Sequence, residues 1–235
     1  MYERTAEIYD LLNAHTGKDY AAEAARVVEL IEERNPAART LLDVACGTGR
    51  HLDHFQERFD VVGLEPAAPM RELAHASLPD VTVVDGDMRT FELDARFDAV
   101  TCLFSAVGYM LTADDLHAAI ATMARHLAPG GVLVVEPWFH PGAWIDGHVL
   151  ADAANAPGLA VTRLGRSTRD GTMSRFDFHF VVGRADGVEQ FVEPHELRLW
   201  TAAEYAGAFT AAGLDVDHDE PGLIGRGLFI GRAPG

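Results

Sequence analysis

Residues 41–50, LLDVACGTGR, join a short apolar run to a series of small residues. The apolar run has the pattern of a buried β-strand that ends at Asp43, and Ala45, Gly47 and Gly49 follow it at two-residue steps. Small residues let the chain turn sharply from a strand into a helix and let the backbone come close to a ligand. We therefore predict a strand–loop–helix unit whose loop, Asp43–Gly49, holds a cofactor.

Short apolar runs alternate with helical patterns on both sides of this unit. Continuous apolar strands are typical of a parallel sheet that helices cover on both faces. The pattern predicts an α/β fold with a doubly wound, mostly parallel, Rossmann-like sheet. Strands are predicted at residues 40–46, 61–65, 81–87, 96–104 and 131–137, and helices at 22–34, 66–77 and 113–127.

The pattern changes after residue 137. Three strand-like runs follow, joined by turns that contain Asp-Gly pairs, which are typical of hairpins. The runs are residues 159–168, 173–183 and 188–200. A helix (202–213) and two further strand-like runs (214–220 and 227–233) then return to the α/β pattern. We predict one domain formed by residues 1–137 and 201–235, with an antiparallel β insert, 138–200, over the active site.

The composition excludes some classes of partner. The 36 acidic residues outnumber the 19 basic ones, and the formal net charge is −17. Nucleic acids and anionic membrane surfaces bind through Lys and Arg, so neither is an expected partner. A small anionic substrate stays possible, because one well-placed arginine can bind a phosphate.

Cysteines and histidines give no sign of a metal site. Cys46 and Cys102 lie in apolar runs and are expected to be buried thiols. His51 and His54 share a helix face, but the sequence offers no further ligands near them. The start of the chain, MYERTAEIYD, lacks the features of a signal peptide, and no segment has the length of a membrane span. We expect no metal and a cytoplasmic protein.

Acidic residues at strand ends suggest the chemistry of the ligand. Asp43 suits a cationic ligand that carries an ammonium and a sulfonium. Glu65, at the end of the next strand, can accept hydrogen bonds from both hydroxyls of a ribose. After the third strand, Asp87 can accept from an adenine amino group, and Met88 can pack on the ring. A dinucleotide-binding dehydrogenase is disfavoured, because Leu52 stands where its fingerprint needs a third small residue and Asp43 would face an anion.

Stretches along the whole chain carry a family resemblance: IYDLL, GKDYAAEA, LLDVACGTGRHLDHF, GDMR, LFSAVGYM, PGGVLVVEPW, AFTAAGL and GRGLF. They are similar to the class I S-adenosylmethionine-dependent methyltransferases. Within that class they resemble the dTDP-amino-sugar N,N-dimethyltransferases of desosamine and mycaminose biosynthesis. The resemblance implies an S-adenosylmethionine cofactor and methylation, expected to be dimethylation, of the amine of a dTDP-linked amino-deoxysugar in antibiotic sugar biosynthesis. It also implies a homodimer.

Candidate site residues follow from the strand ends and from this resemblance. Five more residues join the cofactor site: Tyr9, Tyr20, Pro66, Met70 and Leu103. The expected substrate-binding residues are Phe104, Ser105, Glu136, Trp138, Arg175 and Arg226, with Arg166 as a weaker candidate. Arg226 is the candidate ligand for the diphosphate, because Gly225 and Gly227 let a bulky anion approach its guanidinium.

Catalysis is expected to depend on placement of the amine. No histidine–carboxylate pair is evident at the strand ends, and an amine that is partly neutral at physiological pH needs no strong base. Tyr109 and Tyr2 are the groups expected nearest to the amine; some relatives have histidine where Tyr109 stands. Two alternatives stay open: a methyltransferase of the same fold that acts on another small amine or hydroxyl, and a non-catalytic protein that binds S-adenosylmethionine as a regulator.

Overall fold

The computed structural model describes Tyr2 and residues 4–235 of the chain. The strands are β1 (Thr40–Val44), β2 (Asp60–Leu64), β3 (Thr82–Val84), β4 (Phe97–Cys102), β5 (Leu127–Val135), β6 (Val149–Ala156), β7 (Leu159–Asp170), β8 (Met173–Arg184), β9 (Gly187–Arg198), β10 (Asp215–Asp219) and β11 (Leu228–Arg232). The helices are α1 (Ala6–His15), α2 (Tyr20–Arg34), α3 (Arg50–Phe55), α4 (Ala68–Ser77), α5 (Ala113–Arg125) and α6 (Ala202–Ala211), with a short 3-10 helix at Ala106–Tyr109.

Seven strands form the central sheet, in the order β10-β11-β5-β4-β1-β2-β3. The strands from β5 to β3 pair in parallel, and β11 and β10 complete the sheet antiparallel. Side chains on β1 alternate between two cores: Leu41 packs with residues of α2, whereas Leu42 packs with residues of α5 and α6. This two-sided burial explains why the strands read as continuous apolar runs. The predicted α/β fold with a mostly parallel sheet is confirmed.

The segment predicted as an insert contains a separate antiparallel sheet of four strands, β6-β7-β8-β9. The sequence predicted three of them. β6 was missed because its sequence, VLADAANA, is rich in alanine and has few of the β-branched and aromatic residues that mark a strand. It pairs with β7 along its whole length, from Val149 opposite Arg166 to Ala156 opposite Leu159.

Helix α1 fastens the N-terminal part of the chain to the four-stranded sheet. Ile8 and Leu12 are buried in one apolar cluster with Val161, Phe180 and Phe191 of that sheet. The four strands expose their other face, so their side chains alternate between buried and exposed positions. The N-terminal segment therefore lies between the two sheets, where it can contribute to a site. Within the described residues, no helix has both the length and the apolar character to cross a membrane.

Candidate active site

The loop after β1 has a backbone that only small residues adopt readily. Ala45, Gly47 and Gly49 have φ values of 59°, 59° and 81°, all in the left-handed region. A Cβ on Gly47 would meet nothing within 4 Å, so open space lies in front of this residue. At Gly49 a Cβ would lie 2.9 Å from Leu78 Cδ1 and 3.5 Å from Ala74, so this glycine lets α3 begin close to α4.

A cavity of about 310 Å³ opens at the carboxyl ends of β1, β2 and β4. It brings together most of the residues that the sequence assigned to the cofactor: Tyr9, Ala45, Gly47, Glu65, Pro66, Met70, Asp87, Met88 and Leu103. A hollow of about 40 Å³ shares four of these residues and adds Tyr20 and Asp43. Gly49 lines neither space, and its role is in packing.

Glu65 is buried and is held by the backbone on both sides. Its Oε2 accepts a hydrogen bond from the Gly47 N–H at 2.9 Å, and its Oε1 accepts one from the Ala67 N–H at 2.8 Å. Burial raises the pKa of Glu65 although these two bonds favour the charged form. A carboxylate has about four acceptor sites, so each oxygen keeps one for a ligand hydroxyl. These residues fit the ribose of S-adenosylmethionine.

Asp87 lies at the rim of the same cavity, and its carboxylate is paired with Arg89. Arg89 donates from Nη2 to Oδ2 at 2.6 Å and from Nε to Oδ1 at 2.9 Å. The Arg89 side chain holds the pKa of Asp87 below its usual value. Asp87 is therefore a charged acceptor at neutral pH, as contact with an amino group requires.

A second cavity, of about 620 Å³, adjoins the first and is bounded by α1, α2 and the four-stranded sheet. It contains six of the residues expected at the amine and the substrate: Tyr2, Phe104, Ser105, Tyr109, Trp138 and Arg226. Tyr2, Tyr9, Phe104 and Tyr109 line both cavities. The two spaces therefore meet at a wall of four aromatic side chains, where a group held on one side can react with a group held on the other.

The backbone after β4 is strained at this meeting point. Phe104 and Ser105 have φ values of 51° and 63°, which is uncommon for residues other than glycine and costs energy. Glu136 Oε2 accepts from the Phe104 N–H at 2.6 Å, and Ser105 Oγ donates to the Pro137 carbonyl at 2.7 Å. These contacts hold the strained residues in place. Strain of this kind is found at functional sites, where the surrounding structure over-determines it.

Comparisons with known proteins agree with this geometry. Residues 41–131 match a family model described as a methyltransferase domain. The chain is 49% identical to dTDP-3-amino-3,4,6-trideoxy-alpha-D-glucopyranose N,N-dimethyltransferase from Streptomyces venezuelae, over 98% of this chain and 99% of that protein. The crystal structure of Streptomyces venezuelae DesVI matches with a TM-score of 0.93 and 48% identity, over 98% of each chain. An amino pentose methyltransferase from Micromonospora echinaspora, CalS10, solved with S-adenosylmethionine bound, matches with a TM-score of 0.87 and 46% identity, over 96% of each chain.

The chain belongs to the sugar N,N-dimethyltransferase family of class I methyltransferases. It is an S-adenosylmethionine-dependent N-methyltransferase. The bound cofactor supplies an electrophilic methyl group on a sulfonium, and the residues around the smaller cavity would hold its adenosine and amino-acid parts. The larger cavity is then the acceptor side of this methyltransferase.

Three predicted substrate residues of the methyltransferase lie outside the larger cavity: Glu136, Arg175 and the weaker candidate Arg166. Glu136 is fully buried beneath Phe104, and its Oε1 has no hydrogen-bond partner. Arg175 lies on the exposed face of the four-stranded sheet and pairs with Glu196 at 2.8 Å. Glu136 therefore contacts the larger cavity only indirectly, by holding the backbone of Phe104. Arg175 lies outside that cavity.

A histidine–carboxylate pair lies beside Tyr109, one of the two tyrosines predicted near the amine, although none was evident at the strand ends. The Tyr109 hydroxyl lies 2.7 Å from His195 Nδ1, and His195 Nε2 lies 3.1 Å from Glu193 Oε1. Both residues are on β9 of the four-stranded sheet, and neither follows the end of a strand of the central sheet. The sequence did contain a signal, because Glu193 and His195 are two residues apart and therefore share the buried face of that strand with Phe191 and Leu197.

Several more residues that line the acceptor cavity were absent from the sequence prediction. Phe176 and Phe178, from β8, contribute apolar surface near His195, and Lys18 and Arg163 add positive charge. Neither cation is free: Lys18 pairs with Glu23, and Arg163 pairs with Asp152. Sequence spacing could not show that these residues converge, since they come from three separate elements. In the described part of the chain no group of three or more His, Cys, Asp or Glu residues is arranged to hold a metal ion.

Asp43 should make the stability of the methyltransferase depend on pH. Its carboxylate accepts from Thr101 Oγ1 at 2.7 Å, and burial raises its pKa to about 7. A raised carboxyl pKa means that the folded state loses stability as the pH rises from the unfolded value, about 3.9, through 7. We expect Asp43→Asn to be more stable than the wild type by at least about 1 kcal/mol at pH 8.

Urea unfolding at pH 8 and pH 5 checks this expectation. The advantage of Asp43→Asn should be smaller at pH 5, where the buried carboxyl of the wild type is protonated. Asp60→Asn, at an exposed position, serves as the control and should change little at either pH. If Asp43→Asn were destabilised equally at both pH values, the charged carboxylate of Asp43 would not be lowering the free energy of unfolding.

Proposed function

We propose that this methyltransferase transfers two methyl groups in succession to the amine of a dTDP-linked amino-deoxysugar, a step in the biosynthesis of an antibiotic sugar. The relatives support the class of substrate, because the Streptomyces venezuelae enzyme is named for a dTDP-linked 3-amino sugar and CalS10 for an amino pentose in calicheamicin biosynthesis. We also propose that the enzyme is a cytoplasmic homodimer, as the family resemblance implies. Sedimentation velocity tests the dimer.

Arg226 carries the proposal for a nucleotide-linked substrate. Four basic side chains line the acceptor cavity, and three of them have carboxylate partners: Lys18 with Glu23, Arg26 with Glu29 and Asp219, and Arg163 with Asp152. Arg226 has no ion-pair partner among the described residues, and its Nη1 donates to Ser105 Oγ at 2.5 Å. Burial lowers its pKa, so the charge is costly without an anion. A diphosphate supplies that anion.

The walls around Arg226 suit the rest of such a substrate. Its guanidinium carbon lies 5.1 Å from the centre of the Trp138 ring and 5.0 Å from that of Phe139. Aromatic faces favour a cation at this distance and leave the guanidinium edges free to bind oxygen atoms. Trp138, Phe176 and Phe178 provide apolar surface for a deoxysugar between Arg226 and the tyrosines.

The chain's own residues have a modest chemical task in the first transfer. The amine must be neutral to offer a lone pair, and an α-amino group with a pKa of about 7.7–8.0 is partly neutral at physiological pH. Tyr2 and Tyr109 line both cavities and can orient the amine through their hydroxyls. Placement of two reactants in contact geometry supplies a large part of the rate in reactions of this kind.

Product mass tests the proposed function. Incubation with S-adenosylmethionine and dTDP-linked 3-amino or 4-amino sugars should yield, for one of the two, a product heavier by two methyl groups. The corresponding free amino sugar should have a kcat/KM lower by about thirtyfold or more, because it lacks the anion that Arg226 binds. Equal values for the free and the nucleotide-linked sugar would contradict the proposal.

A further inference from the structure

We propose that His195 and Glu193 form, with Tyr109, an outlet for the proton that the amine must lose between the first and the second methyl transfer. The inference rests on the proposed function, since a single methylation needs no such step. It assigns to β9 a positioning and proton-accepting role that the strand-end rule did not predict.

Five side chains form one continuous series of polar contacts. The hydroxyls of Tyr2 and Tyr109 are 3.0 Å apart, and the Tyr109 hydroxyl is 2.7 Å from His195 Nδ1. His195 Nε2 is 3.1 Å from Glu193 Oε1. Thr5 Oγ1 donates to both Glu193 oxygens, at 3.0 and 2.9 Å. The series begins where the two cavities meet and runs along the wall of the acceptor cavity.

The surroundings of His195 place the Tyr109 hydroxyl in hydrogen-bond contact with its Nδ1. The imidazole is 6% exposed and is flanked by Phe176, stacked at 5.2 Å, and Phe178, at 5.3 Å. Among the residues that the structure describes, the groups with a charge or a titrating proton that face it are Glu193 on its own strand, Tyr109 on the 3-10 helix and Tyr2 on the N-terminal segment. Arg163 of β7 lies beyond, against the other side of Phe178 and paired with Asp152 of β6.

The proton balance shows why two methylations need this outlet. The first transfer forms an N–C bond as the S–CH3 bond of S-adenosylmethionine breaks, and it leaves S-adenosylhomocysteine and a secondary ammonium, whose nitrogen has no lone pair. S-adenosylhomocysteine is exchanged for a second S-adenosylmethionine before the next transfer. One N–H proton then moves to the paired hydroxyls, while the Tyr109 hydroxyl gives its own proton to His195 Nδ1. The amine regains its lone pair, and the imidazolium stands beside the Glu193 carboxylate until its proton passes to solvent through the open cavity. The second transfer leaves a tertiary ammonium as product.

Phenol groups alone do not provide this outlet. Burial raises the pKa of Tyr2 to about 12 and raises that of Tyr109 well above its ordinary value, so neither residue is a base at neutral pH. Imidazole is the side chain that takes up a proton near neutral pH. The pKa of Glu193 is lowered by its contacts with His195 and Thr5, which outweigh the effect of burial, so its negative charge is available to stabilise an imidazolium.

The experiment follows the dTDP-linked primary amine through both transfers and uses its monomethyl derivative, added from solution, as the comparison. With the primary amine at pH 7, His195→Gln should raise the ratio of monomethyl to dimethyl product by about tenfold. The kcat/KM for the added monomethyl substrate should fall no more than that for the primary amine, because both arrive from solvent partly neutral. The defect should disappear as the pH rises above the pKa of the methylated amine, because solvent then removes the proton. Glu193→Gln, which keeps the size of the side chain, should show the same selective effect in weaker form.

His179→Gln is the matched control, because it makes the same substitution on the exposed face of the neighbouring strand. Its product ratio should equal that of the wild type. A monomethyl-to-dimethyl product ratio in His195→Gln like that of the wild type would overturn the proposal. A wild type that adds no second methyl group to any dTDP-linked amine would overturn the proposed function, and the outlet with it.

A spectroscopic measurement tests the contact without turnover. ¹⁵N spectra of histidine-labelled protein should show His195 with a proton on Nε2, toward Glu193, and with Nδ1 as the acceptor of the Tyr109 hydroxyl. Tyr109→Phe should shift the Nδ1 signal and should lower kcat for the first methylation by less than about a hundredfold, as loss of one positioning contact. The opposite tautomer in the wild type would overturn the proposal.

Discussion

Replacing Arg226 with alanine is expected to raise the KM for the dTDP-linked amino sugar by about 30-fold or more, because loss of one partner of a buried, hydrogen-bonded charge pair costs about 2–5 kcal/mol. The affinity for S-adenosylmethionine should stay within about twofold, since Arg226 lines the acceptor cavity and not the cofactor cavity. Steady-state kinetics and calorimetry with the cofactor measure the two quantities. The same variant should lose most of its preference for nucleotide-linked over free sugar.

That loss of preference identifies the group that Arg226 binds. A variant with a general defect would lower kcat/KM for both substrates by the same factor, whereas loss of a diphosphate contact affects the linked sugar alone. Arg175→Ala serves as the comparison variant for Arg226→Ala. The sequence predicts a substrate contact for Arg175, but the structure places it outside the cavity and paired with Glu196, so we expect an unchanged KM. An unchanged KM in Arg226→Ala would remove the diphosphate from this part of the cavity.

In the loop that carries Arg226, the sequence argument about the glycines was incomplete. The sequence suggested that flanking glycines make room for an anion. In the structure Gly225 and Gly227 have φ values of 82° and 87°, so they are needed for the path of the backbone. A Cβ on Gly222 would lie 2.5 Å from the backbone of Gly227, so the loop also closes tightly on itself. The glycines therefore give the backbone the path that directs the Arg226 side chain into the acceptor cavity, and this does not depend on which ligand binds there.

The central sheet and the residues at its strand ends could be predicted because local pattern and burial coincide there. Strands buried on both faces give continuous apolar runs, and the carboxyl ends of parallel strands meet at one edge. For this reason the sequence predicts Glu65 and Phe104, which are far apart in the chain, at the same site. The predicted division into residues 1–137, 138–200 and 201–235 follows the same change of pattern.

The second sheet and its contribution to the site could not be predicted in the same way. Its strands have one exposed face, so the signal is an alternation of buried and exposed side chains. β6 gives no clear signal because four of its eight residues are alanine. The contact between Tyr109 and His195 depends on the docking of this sheet, with α1 beneath it, on the central domain. No local pattern encodes such docking. Glu193 and His195 were visible as a pair on one strand face, but their partner across the cavity was not.

Replacing Glu65 with alanine is expected to weaken S-adenosylmethionine binding by about 1.5–3 kcal/mol, the range for a hydrogen bond to a charged group. The structure adds a reason beyond the ribose contact. Glu65 accepts from the backbone N–H groups of Gly47 and Ala67, and both residues line the cofactor cavity. Without the carboxylate, the loop after β1 loses its anchor to the loop after β2. Glu72→Ala, at an exposed position on α4, is the control and should bind normally.

A 2′-deoxyribose analogue of the cofactor separates the two roles of Glu65. In the wild type, loss of the 2′-hydroxyl should weaken binding, because a buried carboxylate then loses a donor. In Glu65→Ala the natural cofactor and its analogue should bind equally, since the group that distinguishes them is absent. If the variant binds weakly but still prefers the natural cofactor by the wild-type factor, Glu65 only holds the loop, and another residue binds the ribose. Wild-type affinity in a folded Glu65→Ala would exclude both roles.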